Sequence, residues 1–441
     1  MTRARIGRWL SATSPARFSA FAVAAAFSAY FCMYAFRKPF AAAAWSGESV
    51  GGVDLKIALV ISQVVGYALS KFVSVKFLSE LPPARRVTAL FLAIGVAELA
   101  LFGVGALPPR WKLVAIFLNG LPLGAVWGLV FGFLEGRRTS EILGAGLSIS
   151  YIVASGAVKT VGRWVLGAGV PEAWMPAAVG ALFLPAFALS VWLLSCLPPP
   201  DADDERERTE RAPMDASARV TFFARHAFGL GALTVLYVLL TGYRDFRDNF
   251  AFELWSALGY GEAPAVLTYS ELPIAVVVLV SLALVVCVRD NRRAFFVVHG
   301  LMLAGAALIG VATALFALGA LDGAAWMVLV GAGLYLAYVP YGCVLFDRLL
   351  AMTGTIGTAV FMICVTDAAG YAGSVVLLLF KHFGAPDIDW LPFFVRLSYV
   401  TSLVGVVGFV ASWAYFARAP AVWSRPPPLA TLGTPPASGG R

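Results

Sequence analysis

The stretch YAFRKPFAAAAW, Tyr34 to Trp45, closes the first long apolar run of the chain and sets two cations, Arg37 and Lys38, side by side inside it. Its pattern returns once. Phe36-Arg37-x-x-Phe40-Ala41-x-x-x-Trp45 is repeated as Phe246-Arg247-x-x-Phe250-Ala251-x-x-x-Trp255 at identical spacing. A second echo, Pro122-x-Gly124-x-Val126 against Pro340-x-Gly342-x-Val344, lies at a similar offset. Two echoes in register point to a chain built from two parallel halves.

The composition says what those halves are made of. Of 441 residues, 60% are hydrophobic and only 13% charged, about half the charge of ordinary soluble domains. Apolar runs of about 20 residues, each long enough to cross a hydrocarbon core of about 30 Å as a helix, recur along the whole length. Twelve spans follow, near 18–44, 54–78, 87–107, 111–134, 141–168, 174–196, 226–252, 263–288, 294–319, 324–346, 355–381 and 391–417. The fold class is therefore an all-α polytopic membrane protein. Two six-helix halves, 18–196 and 226–417, are flanked by an N-terminal segment 1–17, a central loop 197–225 and a tail 418–441. The central loop is charged and the tail Pro/Gly-rich, so both are expected to be unstructured. Parallel halves related by an axis along the membrane normal are the plan of the major facilitator superfamily.

Charge sets the orientation. Arg3, Arg5, Arg8, Lys76, Arg85, Arg86, Arg137, Arg138, Arg206, Arg208, Arg211, Arg289, Arg292, Arg293, Arg348, Arg418 and Arg425 fall on one side of this topology. Only Arg110, Lys112 and Lys381 fall on the other. By the positive-inside rule both termini are cytoplasmic, and the short loops suit a bacterial inner membrane. The net charge of +8 thus reports topology and not nucleic-acid binding. Arg3, Arg5 and Arg8 precede an apolar stretch too long for a signal peptide, so the first span is retained. The five cysteines show no CxxC or metal-ligand spacing and read as packing residues. No metal or other cofactor is implied, and without HExxH, GxSxG or phosphate-loop motifs neither is an enzyme.

A charge near the bilayer centre costs at least about 2.5–3.5 kcal/mol, so ionisable residues inside spans are functional candidates. Arg244, Asp245, Arg247 and Asp248 could partly neutralise one another along one helix. Lys71 and Arg163 could snorkel, and Arg396 reads as an anchor at a span end. Glu98 and Asp367 have no obvious local partner and are candidates to carry a proton. Arg37 and Arg247, alike by the repeat, would form a cationic clamp, because a guanidinium presents a planar fork suited to carboxylate or phosphate. Lys38, Lys71 and Lys159 add positive potential, while Asp248 and Glu271 would hold the cations in ion pairs that break when an anion arrives.

At these residues the sequence resembles the organophosphate:phosphate antiporter family of the major facilitator superfamily. The resemblance rests on Tyr30, Tyr34, Arg37, Lys38 and Phe40 in the first span and on GYALSKF, residues 66–72, which carries Lys71. It continues with TYSELP, residues 268–273, giving Tyr269 and Glu271, and with GTAVFM from Gly357 and GYAGS from Gly370. The seventh-span arginine of that family corresponds to Arg247 by the repeat register, with Arg244 one turn earlier as the competing match. SVKFLSELPPARR, residues 74–86, lacks the Asp usual in that loop, and Lys159 stands in the helix where phosphate-ester carriers have a histidine. The resemblance implies a secondary transporter of a small organic anion, a phosphate ester or phosphonate, working by anion exchange or proton coupling. The bilayer and the anion are its expected partners, and the expected state is a monomer. The alternative is a transporter-like receptor for an external anion, with the loop at 201–211 as a docking surface.

Overall fold

The computed structural model describes residues 2–134, 140–199, 216–353 and 359–418. The central acidic and basic loop, Arg137 and Arg138, Gly357 of GTAVFM and the tail beyond Arg418 lie outside the described residues.

The chain is helical almost throughout. An amphipathic helix α1 (Arg3–Ser11) leads into α2 (Pro15–Tyr34), α3 (Leu55–Glu80), α4 (Arg86–Ala106), α5 (Pro109–Phe131), α6 (Ser140–Gly167) and α7 (Met175–Ser195). The second half comprises α8 (Ala216–Asn249), the short α9 (Ala251–Ala257) and α10 (Val266–Tyr269), α11 (Glu271–Val286), α12 (Asn291–Ala317), α13 (Gly323–Cys343), α14 (Leu345–Thr353), α15 (Ala359–Leu379) and α16 (Trp390–Arg418). Among the described residues nine segments, with α10 and α11 as one, are long and apolar enough to cross a membrane. The charged α3 and α6, together with α15, bring the long helices to twelve.

Local chemistry sets the boundaries. Pro15 and Pro109 start α2 and α5 at the first helical position, where the missing N–H costs nothing. Asp54, Asp290 and Asp322 cap α3, α12 and α13 by accepting from the backbone N–H of Lys56, Arg293 and Ala325. Pro273 denies Tyr269 its helical hydrogen bond, and the eighth span breaks at Ser270 into α10 and α11. α8 kinks at His226, so its membrane segment runs from His226 to Asn249.

The two halves repeat one packing scheme. In the first, α3 and α4 pack on α5, α2 lies between α6 and α7, and α4 touches α7. In the second, α11 and α12 pack on α13, α8 lies between α15 and α16, and α12 touches α16. Each contact maps onto its counterpart by a shift of six spans, which is the pseudo-symmetry announced by the Phe-Arg echo. Phe36, Phe40 and Trp45 are buried, as are Phe246, Phe250 and Trp255. Their backbones differ: Pro39 stops α2 and starts a 3₁₀ turn at Pro39–Ala42, whereas the second half continues helically into α9.

The halves meet along two seams, α6 against α10 and α11, and α3 against α15. At the first, Gly156 stands so close to α10 that any Cβ would overlap the Leu267 carbonyl oxygen. Gly156→Leu therefore excludes this arrangement of the halves without touching the core of either. Cysteine pairs placed across the α6–α10 seam should cross-link in the parent protein and fail to do so in Gly156→Leu.

Candidate functional site

The charged side chains inside the bundle collect on the surfaces where the halves face each other. Arg37 and Lys38 occupy the turn that Pro39 forces after α2, so their side chains leave the helix sideways toward the second half. The turn is braced by amides. Gln63 Nε2 donates to the Arg37 carbonyl at 2.9 Å and to Asn119 Oδ1 at 2.8 Å. Asn119 Nδ2 donates to the carbonyls of Phe36 at 2.9 Å and Ala97 at 3.0 Å.

Arg37 is only 5% exposed. Its guanidinium carbon lies 3.8 Å from the centre of the Tyr67 ring and 5.9 Å from that of Tyr34. Its Nε has no hydrogen-bond partner, and among the described residues no carboxylate pairs with it. Tyr67 packs edge-on against Tyr371 of the other half, ring centres 5.3 Å apart. Arg244 lies on the far side of this cage, 6.0 Å from the Tyr371 ring and 4.6 Å from that of Tyr338, whose hydroxyl it also meets. Asp245, itself bonded to Ser374, pairs with Arg244 at 2.7 Å.

A second layer crosses the interface. Asp248 of α8 receives Lys38 at 2.5 Å and Lys159 at 2.7 Å, together with the Ser155 hydroxyl. Lys38 also donates to Asn249 Oδ1 at 2.9 Å. Arg247 pairs with Glu271 at 2.8 Å and donates to the Met327 carbonyl at 3.2 Å. A small cavity opens here, lined by Lys159, Arg247, Asp248 and Glu271. Further toward the loop ends Lys56 pairs with Glu253, and at the opposite level Lys71 pairs with Asp367 at 3.3 Å, with Tyr237 donating to the same carboxylate. Lys56 and Lys71 are fifteen residues apart on α3, about 22 Å along its axis. Among the described residues, every ion pair between the halves has its cation on the first half and its carboxylate on the second.

The expected site residues sort accordingly. Arg37, Lys38, Lys71, Lys159, Arg244, Arg247, Asp248, Glu271 and Asp367 line or adjoin the interface, and Tyr34 borders Arg37. Arg247 points toward α11, where it pairs with Glu271 and donates to the Met327 carbonyl while its Nε has no partner, and it is Arg244 that shares the aromatic cage. The four charges at 244–248 do not neutralise one another as a group, because Arg247 and Asp248 find partners on other helices. Tyr269 is 69% exposed. It ends α10 while Glu271 begins α11, and two residues apart on helical backbone point to opposite sides. Glu98 lies away from the interface, inside the first half. Arg163 stacks on Phe252 of the second half at 4.1 Å, and Arg396 is exposed as an anchor would be. Lys56, Tyr67, Tyr338 and Tyr371 were not foreseen as site residues; Lys56 follows the Asp54 cap, where a cation reads as surface.

The fold is similar to that of solved major facilitator superfamily transporters. Solved structures of the proton:xylose symporter XylE bound to 6-bromo-6-deoxy-D-glucose and of a D-xylose–proton symporter both superpose with a TM-score of 0.59. They share 12% and 13% identity with this chain, covering 91% and 90% of it and 96% of each of theirs. By sequence the chain belongs to a family of unknown function, DUF5690, which it matches over residues 39–419. No protein of curated function matches it by sequence. Neither the family nor these neighbours support the narrower resemblance to phosphate-ester antiporters.

Proposed function

We propose that this protein is a secondary transporter that moves a small organic anion by alternating access, with both termini cytoplasmic. The observation that carries the reading is Arg37, a buried guanidinium held against Tyr67 between the halves with no carboxylate among the described residues to neutralise it. An uncompensated buried charge is costly, and an anionic ligand supplies the missing partner. Asp248, shared by Lys38 and Lys159, leaves a second excess of positive charge one layer away. Phosphate esters, phosphonates and dicarboxylates all suit two cations set around a cage. Arg37 and Arg244 contact the anion; Lys38, Lys159 and Asp248 exchange partners as it binds, which gives the ligand a differential affinity for two arrangements of the halves. A neutral sugar, the ligand of the structural neighbours, leaves Arg37 unanswered.

Thermal unfolding of the purified protein tests the class of ligand. Inorganic phosphate, glycerol 3-phosphate, methylphosphonate, succinate and D-xylose are each added in excess. A bound anion at a hundredfold excess over its Kd stabilises by about 2.7 kcal/mol. Stabilisation by one or more anions and none by D-xylose is expected; the reverse pattern defeats the anion reading.

A further inference from the structure

Glu98 sits near the middle of α4 and is 6% exposed. Neither carboxylate oxygen has a hydrogen-bond partner among the described residues, and no cation pairs with it. Its niche is built for it. A Cβ at Gly180 of α7 would overlap Glu98 Oε2 and stand 3.1 Å from Phe36 Cδ1, so the glycine leaves the space that the carboxyl fills and Phe36 borders it.

The groups on the neighbouring elements do not answer its charge. α7 carries no ionisable residue from Met175 to Ser195. On α5, Arg110 and Lys112 lie at the start of the helix, Lys112 beside Glu48 and Trp45. Arg85 and Arg86 are three turns back at the base of α4. From the α2 side come the Cys32 thiol, the Tyr30 and Tyr34 hydroxyls, Arg37 on Tyr67, and Lys38 on Asp248 and Asn249. None lies within ion-pair distance of the carboxyl. An ionised carboxylate among apolar groups without a counter-charge is far costlier than the neutral acid, so the niche holds the acid.

We propose that Glu98 is a proton-binding site that loads and releases one proton as the halves move, coupling proton movement to anion movement. The proposal rests on the transporter reading and separates Glu98 from Asp367, which Lys71 and Tyr237 already satisfy. The link to the anion is structural. Phe36 touches the niche and Arg37 follows it; Asn119 ties the Phe36 carbonyl to that of Ala97, the residue before Glu98; Gln63 ties Asn119 to the Arg37 carbonyl. A shift of the Arg37 turn on anion binding therefore moves the wall of the Glu98 niche. Opening that wall to water lets the O–H bond break, with the proton passing to water and the electron pair staying on the carboxylate.

Two readouts on the full chain in lipid test this. Infrared titration without ligand should show a protonated-carboxyl band that titrates with pH, survives in Asp367→Asn and is lost in the isosteric Glu98→Gln. A titrating band that persists in Glu98→Gln, or no titrating band in the parent, overturns the proposal. In proteoliposomes, inorganic phosphate or succinate uptake should be accelerated by an inward proton gradient. Glu98→Gln should keep exchange of the same anion and lose the response to the gradient; a retained response overturns the coupling. A parent protein that carries no anion defeats the transporter reading, and the infrared titration still decides whether Glu98 binds the proton.

Discussion

Arg37→Ala is expected to abolish stabilisation by anions while leaving the unliganded protein as stable as the parent. The two effects separate because among the described residues no carboxylate pairs with Arg37, so its removal orphans none of them. What is lost in the empty protein is cation–π stacking on Tyr67, about 0.5–2 kcal/mol, offset by relief of an uncompensated buried charge. In the complex, the truncation leaves a bound anion unpaired, a loss of about 2–5 kcal/mol, or at least about 30-fold in affinity. Parallel unfolding curves with and without succinate or phosphate read both quantities. Arg247→Ala should behave in the opposite way, because it strands Glu271 and lowers the stability of the empty protein.

Asp248→Asn carries the largest expected cost in stability. One carboxylate holds Lys38 and Lys159, so the substitution leaves two buried ammonium groups facing a neutral amide. Breaking a buried pair in this way costs about 3–5 kcal/mol. Lys159→Met in the same chain should recover a substantial part, since Lys38 keeps Asn249 as a hydrogen-bond acceptor. Loss of stability in Asp248→Asn that the second change does not touch would contradict the shared-carboxylate geometry.

The twelve-helix fold was legible because hydropathy reports depth: a run of about 20 apolar residues is a crossing whatever its neighbours are. The Phe-Arg echo supplied the relation between the halves, and the structure repeats its packing by a shift of six spans. Rotation about each helix axis is another matter, since it depends on what packs on each face. Hence Arg247, in the right register, turned out to face Glu271, and Arg244 shares the tyrosine cage. Tyr269 was drawn in by its nearness to Glu271 in sequence, although that spacing puts the two side chains on opposite sides. Partners such as Lys56 and Glu253 belong to different halves, 197 residues apart, and no local pattern joins them. Gln63 and Asn119 are uncharged and set in apolar runs, so charge does not mark them, yet they brace the turn that carries Arg37. Their signal in the sequence is an amide at a mid-span position.

In the proposed transporter, the site between the halves carries an anion across the membrane and Arg37 binds it. Uptake into proteoliposomes of radiolabelled phosphate, glycerol 3-phosphate and succinate, with D-xylose alongside, tests this most directly in the parent protein and in Arg37→Ala. Uptake of at least one anion, none of D-xylose, and loss of the anion signal in Arg37→Ala are expected. Transport of D-xylose, or anion uptake indifferent to Arg37, would contradict this role.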